Sequence, residues 1–161
     1  MKVYSIKREV VLKGSLDSVW DFFSTPLNLN EITPRGLHFD ILTDLRNKQM
    51  YPGMIIEYKV RPFMRIPMYW VTEITHCDQP KMFVDEQRFG PYAFWHHKHH
   101  FKSISKDEVL MIDEVHYAIG WGILGKVAHS LFVKAKLKEI FDYRSEIVAH
   151  LFNNKTERRV A

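Results

Sequence analysis

The pattern of apolar residues changes its period once along this chain, at residues 120–122. Before this point, short stretches rich in β-branched and aromatic residues alternate with turn residues, which is typical of strands. After it, apolar residues recur every three or four positions, and neither glycine nor proline interrupts residues 126–155. This spacing predicts one amphipathic helix of about 30 residues. A strand-rich region followed by one long helix leaves only a few folds open to the chain.

The strand-rich region is predicted to contain seven strands and two short helices. Ser15 suits the N-cap of the first helix, which carries Trp20 and Phe23 on one apolar stripe. Pro26 ends it, and a second short helix is predicted over 27–32. Short turns between the later strands favour an antiparallel meander. The predicted strands span residues 3–12, 37–42, 54–60, 68–76, 82–88, 94–101 and 109–119.

These elements predict an α+β fold in which a seven-stranded antiparallel sheet wraps around the long C-terminal helix. Residues 1–152 are expected to form a single domain, and residues 153–161 a polar C-terminal tail. One helix can cover only part of a strongly twisted sheet, so a cavity between them is expected. Aromatic residues make up 14% of the chain, and such side chains commonly line ligand cavities.

The charge pattern and the cysteine count exclude several classes of function. Much of the net charge of +4 lies at the two ends of the chain, and the basic residues between them are dispersed among acids, so we expect no binding to nucleic acid. The single cysteine, Cys77, excludes an internal disulfide and a cysteine-rich metal site. No stretch approaches the roughly 18 apolar residues of a membrane span, and residues 1–13 do not resemble a signal peptide. We therefore expect a cytoplasmic protein with no integral membrane segment.

The run 89–101 carries four histidines between aromatic residues. If it is a strand, side chains alternate between its two faces. Phe94, His96, Lys98 and His100 then share one face, predicted to be turned to solvent. The other face is expected to form a pocket wall or a polar patch of core, and it presents Trp95, His97, His99 and Phe101.

The inward imidazoles need polar partners, and neighbouring strands offer Asp85 and Asp113. His97 and His99 could converge with a carboxylate on a metal ion, but a hydrogen-bonded network serves the same groups without one. We expect no resident metal or cofactor. The same region supplies the candidate catalytic groups, which are His97, His99 and Asp113.

Several ordered motifs resemble the START-like, or polyketide cyclase and dehydrase (SRPBCC), superfamily. Residues 16–23, 26–29 and 32–34 resemble its opening segment. Residues 83–87, 90–92, 95–97, 99, 101, 111–117 and 122–125 resemble a bacterial subgroup of stand-alone ligand-binding domains. The resemblance covers residues 3–152 and implies the helix-grip fold, shared with the major birch-pollen allergen. It also implies a ligand cavity between the sheet and the long helix.

Combining this resemblance with the aromatic pattern predicts the residues that contact a ligand. Leu131 and Ala135 are expected on the helix that covers the cavity. The complete predicted set is Trp20, Phe23, Tyr58, Trp70, Phe83, Asp85, Gln87, Trp95, His97, His99, Phe101, Asp113, Tyr117, Leu131 and Ala135.

Three functions remain open at this point. The first is binding of a small hydrophobic or amphipathic molecule. The second is a cyclase or dehydratase activity in which His97, His99 and Asp113 act as polar or acid–base groups. The third is a module that binds a protein partner. The apolar, proline-containing connector 61–70 could form a pocket mouth, a membrane-touching edge, a buried hairpin tip or the contact of a weak homodimer.

Overall fold

The last six strands of the sheet form a meander, and the first strand pairs with the last one at the edge of the sheet. A computed structural model describes residues 1–46, 48–61, 66–120, 122 and 132–154. Its strands are β1 (Tyr4–Lys13), β2 (Asp40–Ile41), β3 (Met54–Val60), β4 (Met68–Asp78), β5 (Met82–Phe89), β6 (Phe94–Ser105) and β7 (Glu108–Ala118). They form one antiparallel sheet in the order β1-β7-β6-β5-β4-β3-β2. The predicted seven-stranded antiparallel sheet is confirmed.

Helical segments cover one face of this sheet. Helix α1 (Leu16–Phe23) begins at Ser15, whose Oγ accepts a hydrogen bond of 3.2 Å from the Ser18 amide. Two 3₁₀ helices follow, Pro26–Asn30 and Arg35–Leu37. Helix α2 (Lys134–Asn153) is the described part of the predicted long helix, and residues 123–131 and 155–161 lie outside the described residues. Among the described helices, none has the length and apolarity needed to cross a membrane.

The predicted strand 37–42 is wrong over its first half. Arg35–Leu37 forms a 3₁₀ helix instead, and His38 takes a left-handed conformation with φ 44°. Only Asp40 and Ile41 pair with β3. Pro34 is the N-cap of this turn, and the left-handed His38 that ends it interrupts the extended backbone that strand pairing requires. This edge strand is consequently very short.

Apolar side chains from both layers meet on the concave face of the sheet. Near the C-terminal end of α2, Val148 and Phe152 pack with α1 and with β6 and β7. Near its N-terminal end, Leu137 and Phe141 pack against Trp95. A third cluster lies on β3 and β4 and includes Ile56 and Ile74. Between these clusters the two layers separate, and this separation creates the site described next.

Candidate functional site

A cavity of about 160 Å³ lies between the concave face of the sheet and the helical layer, and it is partly open to solvent. Strands β3 to β6 form its floor, and α2 forms one side. The segment from the end of α1 to Phe39 forms the opposite side. Most of the wall is apolar, with aromatic side chains on every side. Its apolar lining includes Phe22, Phe23, Leu29, Ile32, Phe39, Val60, Trp70, Ile74, Phe83, Trp95, Leu137, Ile140 and Phe141.

The alternation predicted for β6 places its imidazoles in this cavity. Trp95, His97, His99 and Phe101 are buried, and the residues between them are partly or fully exposed. His97 and His99 therefore face the interior, while His96 turns outward and lies 2.7 Å from Glu86 through its Nδ1. The prediction for the two faces of this strand is confirmed.

Two aspartates bracket the inward imidazoles. Asp85 on β5 is directly opposite His97, and Asp113 on β7 is directly opposite His99, so the register brings all four side chains to the same face. Asp85 Oδ2 lies 3.1 Å from His97 Nδ1 and 3.1 Å from His99 Nε2. Asp113 Oδ1 lies 2.7 Å from His99 Nδ1 and 3.4 Å from His97 Nε2. Both predicted carboxylate partners are therefore present.

Not all of these close approaches are aligned as hydrogen bonds. His99 Nε2 and Asp85 Oδ2 meet the geometry of one. In contrast, His97 Nε2, His99 Nδ1 and Asp113 Oδ1 are fully buried and have no aligned hydrogen-bond partner among the described residues. Buried polar atoms normally have a hydrogen-bond partner. Three such atoms without one make this network a candidate site for polar interactions.

The charges in the network shift the pKa values of its members. Burial alone would lower the pKa of His97, but Asp85 and Asp113 outweigh this effect and raise it. Burial alone would raise the pKa of Asp113, but His99 and His97 hold it well below its ordinary value. The pKa of Asp85 is lowered for the same reason. Both carboxyl groups are therefore ionised at neutral pH, which keeps two negative charges inside the protein.

Arg144 brings a positive charge from α2 to the same region. Its side chain is 13% exposed, and its Nη1 lies 4.0 Å from Asp113 Oδ2. Its guanidinium also lies over the Phe141 ring, 5.5 Å from the centroid. The Nε atom is buried without a hydrogen-bond partner among the described residues. Since Arg144 lines the cavity, this nitrogen is a donor that a bound molecule could use.

Two hydroxyl groups extend the polar wall across the sheet. Thr72 Oγ1 accepts a hydrogen bond of 3.0 Å from Trp70 Nε1, and both residues line the cavity. Tyr58 lines it from β3. Burial raises the pKa of Tyr58, and the charge of Asp85 raises it further. Tyr58 therefore stays a neutral phenol that can donate a hydrogen bond.

The structure separates the predicted ligand-binding residues into two groups. The residues that line the cavity are Phe23, Tyr58, Trp70, Phe83, Asp85, Trp95, His97 and His99. Trp20, on α1, instead packs with Phe101 in the core between α1 and the sheet, and Tyr117 packs beside Trp95 and Phe141. Asp113 lies behind the imidazoles and outside the cavity lining.

Three further positions differ from the prediction. Ala135 is exposed, because it precedes Leu137 by two positions and points to the opposite side of the helix. Leu131 lies outside the described residues. Gln87 does not line the cavity. Its Nε2 donates to the Tyr92 carbonyl at 2.6 Å, and its Oε1 accepts from the Tyr92 amide at 3.2 Å.

Gln87 therefore has a positioning role in the turn between β5 and β6. Its side chain occupies the space beside Gly90, where a Cβ would lie 2.5 Å from the Gln87 Oε1 atom. Gly90 also has φ +154°, which other residues rarely adopt. The turn holds Tyr92 in the cavity wall, where its ring contacts Trp70 and Trp95. Tyr92 was not among the predicted site residues, because its role depends on this turn.

The sequence carried one signal for Arg144. This arginine falls within the apolar stripe of the long helix, at the spacing of Leu137, Ile140 and Phe141. A charged residue in such a stripe either snorkels to solvent or meets a buried partner. The structure shows the second case. The cavity residues between Pro26 and Phe39 gave no comparable signal, since they come from irregular segments.

No known family profile matches this sequence, and no curated protein sequence matches it. Solved structures do. An aromatase/cyclase, Zhui, from Streptomyces sp. R1128 superposes with a TM-score of 0.73 at 13% identity, over 99% of this chain and 97% of that one. A truncated norcoclaurine synthase from Thalictrum flavum gives a TM-score of 0.64 at 17% identity, over 91% of this chain and 94% of that one.

A START superfamily protein from Mycobacterium smegmatis gives a TM-score of 0.64 at 11% identity, over 93% of this chain and 97% of that one. At such identities the likeness concerns the fold and not the chemistry. These structures show that the chain has the fold that the sequence resemblance implied, the helix-grip fold.

Proposed function

We propose that this protein binds a small amphipathic molecule in the cavity between the sheet and α2. The observation that carries the proposal is the division of the cavity wall. Its surface is mainly aromatic and aliphatic, and its acidic, basic and imidazole side chains all come from β5, β6 and α2, with none from the segment between α1 and Phe39; they are Asp85, His97, His99 and Arg144. Ligand pockets are typically apolar with a few convergent polar groups that fix orientation.

The polar side of the wall suggests how the ligand is oriented. Arg144 offers a cation whose Nε has no hydrogen-bond partner among the described residues, and Tyr58 offers a neutral hydroxyl. A carboxylate, an enolate or a phenolate oxygen fits these donors. The apolar body of the ligand then contacts Trp70, Trp95 and Phe141. The neighbours that share this fold include a protein named as an aromatase/cyclase and a synthase crystallised with dopamine and hydroxybenzaldehyde, which are consistent with a planar ligand.

The proposal is tested by blocking the cavity from α2. Ile140 lines the cavity, so Ile140→Trp should fill it and reduce binding of the fluorescent probe anilinonaphthalene sulfonate by at least tenfold. Ala135→Trp is the matched control, because Ala135 lies on the exposed side of the same helix, and it should leave probe affinity unchanged. Cooperative thermal unfolding of both variants verifies that they are folded. Equal binding by both variants would refute a cavity site.

The role of Arg144 is tested separately with Arg144→Met, which keeps an unbranched apolar stem and removes the guanidinium. The affinity for the anionic probe should fall roughly 10-fold, the effect of losing a charge-assisted hydrogen bond of about 1.5 kcal/mol. The affinity for an uncharged aminonaphthalene analogue should change little. If both affinities fall equally, Arg144 shapes the cavity and does not recognise charge.

A second candidate function is a cyclase or dehydratase reaction at the network of His97, His99 and Asp113. The observation that favours it is the position of both imidazoles in the cavity wall, beside two ionised carboxylates. Mass spectrometry of protein purified from its own host distinguishes the two candidates. A carrier retains the same compound in the wild type and in His97→Gln. An enzyme retains a substrate in the variant whose mass differs from that of the product in the wild type.

A further inference from the structure

Three potential ligand atoms converge at the polar wall of the cavity. His97 Nδ1 and His99 Nε2 each lie 3.1 Å from the same oxygen, Asp85 Oδ2. All three atoms lie within 4.8 Å of one another. Two neutral imidazoles and one carboxylate form a common ligand set for Zn²⁺ and for other divalent transition metals.

The spacing fits a metal ion as well as the atom types do. Zn²⁺ binds imidazole nitrogen and carboxylate oxygen at about 2.0–2.2 Å, so the ligand atoms of a tetrahedral site are about 3.3 Å apart. The two nitrogen–oxygen separations of 3.1 Å are close to that value. The third separation, between the ligand nitrogens of His97 and His99, is within 4.8 Å.

We infer that Asp85, His97 and His99 form a binding site for one divalent transition-metal ion, of which Zn²⁺ is the representative case. This inference goes beyond the proposed binding of an organic molecule and does not depend on it. The three side chains all line the cavity, so an ion can enter from solvent. Because the three side chains border the cavity, a water molecule or an oxygen of the organic ligand could complete the coordination from the cavity.

Asp113 is placed as the outer partner of this site. Its Oδ1 lies 2.7 Å from His99 Nδ1 and 3.4 Å from His97 Nε2, on the opposite edges of the same rings. Metal-bound histidines almost always donate their second N–H to such a carboxylate, which fixes the tautomer and the ring orientation. In this structure, His97 Nδ1 and His99 Nε2 lie beside Asp85. The other ring nitrogens, His97 Nε2 and His99 Nδ1, lie beside Asp113.

The test is titration of the tag-free protein with Co²⁺ and with Zn²⁺, without any organic ligand. Co²⁺ should produce the intense visible absorption of a four- or five-coordinate site at one equivalent, and Zn²⁺ should displace it. His97→Ala and His99→Ala should abolish this spectrum. Asp113→Asn should retain the stoichiometry but weaken Zn²⁺ affinity roughly 10- to 100-fold.

His96→Ala and His100→Ala are the matched controls, since they remove the same residue type from the opposite face of the same strand. Both should retain the Co²⁺ spectrum. If the wild type does not bind one equivalent of Co²⁺, the inference is overturned, and the network is one of hydrogen bonds and ion pairs without a metal. Loss of the spectrum in the control variants would also overturn it, since the metal would then lie on the outer face.

A second measurement keeps the inference testable if the inward variants do not fold. X-ray absorption of the Zn²⁺-loaded wild type should show nitrogen and oxygen ligands at about 2.0–2.1 Å, with the multiple scattering of two imidazoles. A coordination shell with fewer than two imidazoles, or one that contains the Cys77 sulfur, would contradict the assignment. Because neither measurement involves an organic molecule, failure here leaves the proposed function standing, and failure of probe binding leaves the metal site standing.

Discussion

The two ends of the concave face differ in how completely they are filled. At the packed end, defined by Val19, Trp20, Phe101, Val109 and Phe152, the aromatic rings interlock with centroid separations such as 5.9 Å between Trp20 and Phe101. At the cavity end, defined by Tyr58, Val60, Trp70, Thr72 and Phe141, the same two layers enclose open space. Phe23 and Phe83 belong to both ends and form the boundary.

The difference shows that one helix on one sheet can serve two purposes. The last turns of α2 present Val148 and Phe152 to the packed end, and the preceding turns present Leu137, Phe141 and Arg144 to the cavity. Stability is therefore expected to reside mainly at the packed end. Binding specificity is expected to reside at the other, where substitutions alter the space without disturbing close packing.

The largest effect is expected from truncation at the packed end. Trp20 is 2% exposed and contacts both Phe83 and Phe101 edge to face. Trp20→Ala should lower the free energy of unfolding by about 3–5 kcal/mol, because it removes a large buried ring and leaves a cavity. Urea denaturation followed by circular dichroism measures this change. A loss below about 1 kcal/mol would show that this end is not the main source of stability.

The same enlargement made at both ends tests the comparison directly. Val109 is fully buried on β7 at the packed end, while Val60 on β3 lines the cavity. Val109→Phe should cost about 1–3 kcal/mol or more through overpacking, and Val60→Phe should cost less. The dye affinity should show the reverse order, with the larger loss in Val60→Phe. Equal destabilisation of the two variants would mean that the cavity end is as tightly packed as the other.

A smaller effect is expected at the turn that supports the cavity wall. Gly90→Ala places a side chain against Gln87 and forces an unfavourable φ, which should cost about 1–3 kcal/mol. Because the turn carries Tyr92, probe affinity should fall as well. Gly36→Ala is the control, since a Cβ at Gly36 meets nothing within 4 Å. An unchanged affinity in Gly90→Ala would show that Tyr92 keeps its place without the turn.

Much of the fold could be predicted from periodicity, because residues in strands such as β3, β6 and β7 alternate between buried and more exposed positions. The alternation of β6 is the best example, since it separated His97 and His99 from His96 and His100 and pointed to Asp85 and Asp113 as partners. These inferences succeeded because register in an antiparallel pair fixes which side chains are opposite each other. The strand predicted at 37–42 failed because a helical turn over Arg35–Leu37 ends at the left-handed His38, which interrupts the extended backbone.

The boundary of the cavity could not be predicted in the same way. Trp20, Phe101 and Tyr117 face inward as expected. Whether an inward aromatic ring packs in the core or lines the cavity depends on the distance between the sheet and the helical layer. That distance is set by contacts between elements remote in sequence. Gln87 and Tyr92 act through a turn whose shape depends on Gly90. Arg144 had a visible signal, a cation in an apolar stripe, but its partner Asp113 is known only from the tertiary structure.

The pairing of β1 with β7 has a consequence for the order in which the molecule assembles. From β3 to β7 each strand pairs with the strand before it in the chain, whereas β1 pairs with β7, with Tyr4 opposite Tyr117 and Lys13 opposite Glu108. During synthesis, β1 and α1 are made before β7, so the apolar residues of α1 remain uncovered until the sheet can form beneath them. Pulsed proteolysis of stalled nascent chains should accordingly find β3 to β5 protected before β1, and protection of β1 first would contradict this order. The first strand of the sheet to be synthesised therefore cannot pair until the last one has been made.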